Sequence, residues 1–243
     1  EYTKPAAPSG LSLDSSVDRE ITGSWTDNAT FTSTQDLNYE VSGNSNLQKV
    51  GSTDSTATVT GLLDGEKYEL YADVEVHQYR HGGKVDEYTS FTSTLSTTTN
   101  LPSPSGLTAS YVSDRQIDLS WTDTINNGDY RIQINRDGNG YVDVRCPQAS
   151  PTVGNGTNSL NVTPASTGGS SVPYYQTVGI DSSFSFRIRA ETEHTSTSYI
   201  TSGTVKTSPL PPSDVSVTRP DANTVKFHGT VESDVGFKIK IEA

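Results

Sequence analysis

One block of sequence occurs twice at a constant distance. Pro8-Ser9-Gly10-Leu11, Ile21 and Trp25-Thr26-Asp27 return as Pro104-Ser105-Gly106-Leu107, Ile117 and Trp121-Thr122-Asp123, each pair offset by 96. A third start stands at Pro212-Ser213-Asp214-Val215, with Val225 and Phe227 after it. Self-similarity at a fixed period means repeated structural units. In 243 residues there is room for two such units and part of a third, which we place at 1–100, 101–208 and 209–243.

Inside each unit the apolar period is two. Tyr68, Leu70, Ala72 and Val74 alternate with polar residues, and so do Phe184, Phe186, Ile188 and Ala190. Tyr130, Ile132 and Ile134 repeat the pattern, as do Phe237, Ile239 and Ile241. Alternation of this kind puts one face of a strand in a core. Asp64-Gly65, His81-Gly82-Gly83, Asn127-Gly128 and Asn139-Gly140 break the strands at short intervals. Helical periodicity is missing. Short strands, frequent turns and one tryptophan per complete unit predict an all-β chain of tandem β-sandwiches.

These residues resemble the fibronectin type III family. That family opens on a proline-rich first strand, carries a core tryptophan on strand B and an aromatic on strand C, and enters strand F through a Leu-x-x-Gly-x-x-Tyr corner. Trp25, Tyr39-Glu40-Val41 and Leu62 to Gly65 to Tyr68 fit the pattern in the first unit. The second keeps Trp121 and Tyr130-Arg131-Ile132 but has Phe184 at the corner, which removes the hydroxyl that bonds backbone there. The resemblance implies fibronectin-III-like (Ig-like) sandwiches over residues 5–208, and a half-unit after that. It implies little about function, because the fold serves as spacer and binding platform in unrelated proteins.

The units differ in their loops. Strand C to strand F spans 29 residues in the first (Tyr39 to Tyr68) and 54 in the second (Tyr130 to Phe184). The excess falls around Cys146 to Gly156 and around Pro164 to Gln176. Within the latter, Tyr174 and Tyr175 are either contact residues or packing against their own sandwich. The third unit has strands with exposed edges, completed either by more of the domain or by another subunit.

Composition excludes several classes. Asp and Glu number 29 against 17 Lys and Arg, a net charge of -12 that argues against nucleic acid and anionic membranes as partners. No apolar run reaches the ~18 residues of a membrane span. Cys146 is the sole cysteine, so no internal disulfide forms. Ser and Thr supply 33 residues each and Lys only eight, which fits either a saline setting or an ordinary acidic secreted protein. Methionine is missing, which suggests a processed chain or a piece of a longer one.

Catalytic patterns do not emerge. His77, His81, His194 and His228 lack metal-ligand spacing. Asp137 to Asp143 has oxygen ligands at alternate positions, but Val142 replaces the glycine of a calcium loop, so the segment reads as a hairpin turn on Asn139-Gly140. Neither a Gly-x-Ser-x-Gly elbow nor a carboxylate pair in a sugar-binding context is found. No enzyme activity and no cofactor are expected. Asn28-Ala29-Thr30, Asn155-Gly156-Thr157 and Asn161-Val162-Thr163 are glycosylation acceptor patterns.

The sequence therefore points to a structural or attachment protein of a virion tail or fibre, or of a surface appendage, outside the cell and in a saline system. Its partners would be other subunits of an assembly, and a host surface glycan or protein. A spacer or glycan-binding module of a secreted polysaccharide-degrading enzyme is the rival, and a cell-envelope adhesin a third. The contact candidates are Arg80, His81 and Lys84 at the strand F tip of the first unit, with Tyr174, Tyr175, His194 and Tyr199 in the second. Prolines in the connections, 102 and 104 and then 209, 211 and 212, would hold the units in orientation.

Overall fold

A computed structural model describes residues 4–30, 33–52, 54–80, 83–113, 116–144, 152–162, 182–208 and 213–230, with backbone alone over 77–80 and 83–87. Cys146, Tyr174, Tyr175, His81 and the 237–241 alternation lie outside the described residues.

The described elements are all strands. The first eight are β1 (Ser9–Asp14), β2 (Glu20–Thr26), β3 (Thr34–Val41), β4 (Gln48–Ser52), β5 (Thr56–Thr60), β6 (Lys67–Arg80), β7 (Gly83–Phe91) and β8 (Leu95–Thr98). They form one sheet in the order β1-β2-β5 and a second in the order β4-β3-β6-β7, with β8 also on β6. Their inward residues meet in a core of Ile21, Trp25, Leu37, Val59, Leu62, Tyr68, Leu70 and Ala72. The Trp25 indole donates to Gln35 Oε1 at 2.8 Å, so its polar atom is satisfied inside the core.

The second sandwich repeats the plan. Its strands are β9 (Ser105–Ser113), β10 (Gln116–Thr122), β11 (Asp129–Arg136), β12 (Val142–Asp143), β13 (Thr152–Gly154), β14 (Ser159–Val162), β15 (Ser183–Glu191), β16 (Ile200–Thr201) and β17 (Val205–Lys206). One sheet runs β14-β10-β9; the other runs β12-β11-β15-β16, with β13 on β11 and β17 on β15. Ile117, Leu119, Tyr130, Ile132, Ile134, Phe184, Phe186 and Ile188 fill the core. Each such side chain contributes roughly 1.5–3 kcal/mol by leaving water. Trp121 is buried too, but its Nε1 has no hydrogen-bond partner among the described residues.

One local expectation changes. The β11–β12 hairpin turns on Asp137-Gly138, not on Asn139-Gly140. Asn139 N donates to Arg136 O at 3.0 Å, and the two central residues have φ of 51° and 80°. Positive φ at both positions is what a type I′ turn needs, and an Asp-Gly pair supplies it. The second sandwich has a tyrosine hydroxyl bonded to backbone in a different loop, between β10 and β11. Tyr130 Oη accepts from Thr124 N at 2.9 Å and donates to Asp123 Oδ1 at 2.7 Å. In the first sandwich the corner is the expected one, with Leu63 N donating to Tyr68 Oη at 3.1 Å.

β18 (Ser213–Asp221) and β19 (Thr224–Thr230) form a separate antiparallel hairpin. Val217 stands opposite Phe227, and Val215, Val217, Val225 and Phe227 are exposed.

Candidate functional site

A cluster of polar contacts lies where the two sandwiches meet. Arg19 occupies the β1–β2 turn at φ 62°. Asp64 and Gly65 lie in the β5–β6 loop, Asn126 to Gly128 in the β10–β11 loop, and Thr192 to Thr195 after β15. The chain folds locally this way because Asp, Asn and Gly accept turn geometry that other residues resist.

Asp64 is the centre of the junction, and its side chain is fully buried. Arg19 Nε lies 3.1 and 3.2 Å from its two oxygens, and Arg19 Nη2 lies 3.1 Å from Oδ2. The same Nη2 donates across the junction to Thr124 O at 2.9 Å. Asn126 closes a reciprocal pair: its N donates to Asp64 Oδ2 at 2.7 Å, and its Oδ1 accepts from Asp64 N at 2.8 Å. Asn126 Nδ2 donates to Leu62 O and Asn127 Nδ2 to Asp64 O, each at 3.1 Å. A buried carboxylate costs little when paired and hydrogen-bonded this fully.

A second contact runs beside the first. Thr192 Oγ1 donates to Gly65 O at 2.8 Å, and His194 Nε2 lies 3.0 Å from Glu66 Oε1. The connection itself is fastened at both ends. Thr99 Oγ1 donates to Leu63 O at 2.6 Å, and Leu101 is buried in the core of the second sandwich. Interlocking loops thus join the two sandwiches beside the connection.

The expected contact residues are spread apart. Arg80 ends β6 and pairs with Gly83; Lys84 pairs with Tyr79 on β7. Beyond Glu75, which pairs with Thr34, the β6–β7 hairpin has no third strand among the described residues, so it projects as a two-stranded ribbon past β3. His194 is exposed in the loop after β15, with its Nε2 beside Glu66 of the other sandwich. Tyr199 is half-buried, with Arg187 over its ring at 4.2 Å and Arg189 at 4.9 Å. Arg187 also lies 4.2 Å from the Tyr141 ring centroid, so its guanidinium contacts both tyrosine rings. Arg131 bridges Glu191 and Asp143 on the same sheet face. Burial opposes ionisation of Glu191, yet its bonds from Arg131 and Arg189 outweigh burial and hold the carboxyl below its ordinary range.

Sequence reasoning missed Arg19, Asp64, Glu66, Asn126, Asn127 and Thr192. The available signal was the pair of turns Asp64-Gly65 and Asn127-Gly128, one in each unit. Among the described residues no group of three or more His, Cys, Asp or Glu side chains could hold a metal, and no helix is long and apolar enough to cross a membrane.

The arrangement of two such sandwiches in series is shared with solved structures. A two-domain segment of chicken tenascin matches with a TM-score of 0.55 at 17% identity, over 83% of this chain and 100% of that one. The chain has the fold of tandem fibronectin type III domains. The FN1–FN3 domains of chicken CNTN1 match more loosely, with a TM-score of 0.31 at 12% identity, over 84% of this chain and 68% of that one. No family model matches the chain. No curated protein matches it either.

Proposed function

We propose that this fibronectin type III-like pair is a non-enzymatic structural or attachment protein. It holds the projecting β6–β7 ribbon, with Arg80 and Lys84, at a set angle to the rest of an assembly. The observation that carries the reading is the buried Asp64, which takes hydrogen bonds from Arg19 of its own sandwich and Asn126 of the other. A spacer that only needed reach would have no use for a buried carboxylate in its joint. The setting is extracellular, on a virion tail, fibre or comparable surface appendage. The net charge of -12 suits a saline medium that screens self-repulsion. The partners are other protein subunits of that assembly.

The test is sedimentation of native material at its source salt, following this chain by mass spectrometry. Co-sedimentation with a particle in fixed ratio to other structural proteins is expected. Recovery as a soluble species attached to a larger catalytic polypeptide overturns the reading.

A further inference from the structure

The three Asn-x-Thr patterns occupy different surroundings. Asn28 is exposed, but its amide nitrogen is engaged: Nδ2 donates to Ala7 O at 2.8 Å and to Ser9 Oγ at 3.0 Å. Both amide hydrogens are spoken for, and they tie the β2–β3 loop to the N-terminal segment. Asn161 sits inside β14 opposite Asp118. A residue in a paired strand cannot fold its chain back without breaking the ladder. Asn155 is in neither situation. It is exposed in the turn between β13 and β14.

That turn is well defined. Thr157 N donates to Gly154 O at 3.3 Å, and Gly156 has φ 82°. Asn155 N donates to Gly128 O at 3.2 Å, and Gly156 N to Asp123 Oδ2 at 2.8 Å. The backbone is thus pinned to the second sandwich while the Asn155 side chain forms none of the hydrogen bonds found among the described residues. The space is open as well: a Cβ built on Gly156 meets nothing within 4 Å. The turn also brings Thr157 back beside Asn155, which an extended strand does not do.

We propose that Asn155 is an N-glycosylation site and that Asn28 is not. The co-reactant is a sugar activated as a lipid-linked diphosphate, transferred by a membrane oligosaccharyltransferase. Asn155 Nδ2 forms a bond to the anomeric carbon as the bond from that carbon to the diphosphate oxygen breaks. The diphosphate leaves with the bonding pair, and one Nδ2 proton passes to the transferase. Bonds and charge balance, and nothing is oxidised or reduced. The glycan extends from a turn bonded to Gly128, next to the Asn126 and Asn127 that grip Asp64, so it flanks the junction. The inference rests on the extracellular setting proposed above.

The experiment has two arms. In the first, the full chain is secreted from a eukaryotic cell line and treated with peptide N-glycosidase in heavy-oxygen water, which converts each glycosylated Asn to labelled Asp. Label on most Asn155 and none on Asn28 is expected. Asn155→Gln and Thr157→Val should each remove the same glycan mass and leave the melting temperature within a degree or two. Unlabelled Asn155, or label at Asn28 in its place, overturns the proposal. The second arm repeats the digestion on native material; unmodified Asn155 there overturns the proposal for this protein. Sedimentation of the same material reads the assembly role independently, so the two failures are told apart.

Discussion

Arg19 spans the junction from one side of Asp64: two of its nitrogens hold the carboxylate, and one of them also reaches Thr124 O at 2.9 Å in the other sandwich. The pair is asymmetric, because the Arg19 side chain is 42% exposed while that of Asp64 is 0%. Removing the carboxylate lets Arg19 turn to water, but leaves Asn126 N and part of Arg19 without their acceptor. Asp64→Ala should cost about 1–3 kcal/mol of coupling between the sandwiches. Spin labels placed on β5 and β14 should give one narrow distance distribution in the parent and a broad one in the variant. An unchanged distribution would mean that the loops do not set the angle.

Glycine makes the second part of the joint possible. A Cβ on Gly128 would stand 2.5 Å from Glu191 O and 2.7 Å from Thr192 Cγ2, at φ 90°. Gly156 has a similar φ of 82° with open space around it. Gly→Ala at either position carries the left-handed penalty of about 1–2 kcal/mol. Only Gly128→Ala adds a backbone clash, so it should lower the midpoint of denaturant unfolding clearly more than Gly156→Ala. Equal midpoints would show that strain alone matters at both sites.

The strands were legible in the sequence and the joint was not, for a physical reason. Alternation at Tyr68 to Val74 and Phe184 to Ala190 reports burial on one face, and burial is a local property of a pleated strand. The tryptophans at 25 and 121 mark the same place in each repeat. Asp64 and Asn126 are 62 positions apart. Each is ordinary in its own turn, and nothing local says that the turns touch. The Asp137-Gly138 turn was missed because Asn139-Gly140, two residues on, carries an equally good local signal and only the register of β11 against β12 decides between them.

Tyr130 fastens the β10–β11 loop of the second sandwich, and Tyr68 the β5–β6 loop of the first. The Tyr130 hydroxyl serves two partners, Thr124 N and Asp123 Oδ1, where that of Tyr68 serves Leu63 N. Burial raises the pKa of both phenols, so both stay neutral at physiological pH. Tyr130→Phe strands the Thr124 N donor and leaves Asp123 Oδ1 with only its longer bond from Ile125 N at 3.3 Å, so it should cost about 2 kcal/mol, against about 1 kcal/mol for Tyr68→Phe. Because Thr124 O also receives Arg19, the Tyr130 variant should in addition weaken the junction. Calorimetry of the two variants checks the order; a larger loss for Tyr68→Phe would contradict it.

Two carboxylates should respond to acid with opposite sign. Asp73 is pushed up first of all by burial, and its Oδ1 has no partner; Asn38 Nδ2, at 2.9 Å from Oδ2, offsets only part of this. A raised acid binds its proton more tightly in the folded chain, so the ionised form destabilises the fold at neutral pH, and the penalty fades as pH falls through the raised folded pKa and is gone below the ordinary carboxylate value of ~4. Glu191 is depressed, so its contribution is present above that value and is lost as pH falls through its folded pKa. Asp73→Asn should therefore raise stability at pH ~7 by up to about 1 kcal/mol, and Glu191→Gln should lower it by a similar amount. In a melting series taken down to pH ~3 the Asp73 difference should shrink towards zero, because that passes below its ordinary value, while the Glu191 difference should begin to fall below ~4 and vanish only once pH has passed its lowered folded pKa. A stabilising effect of Asp73→Asn that persists at that acidity would assign its origin to packing, since no charge would remain to relieve.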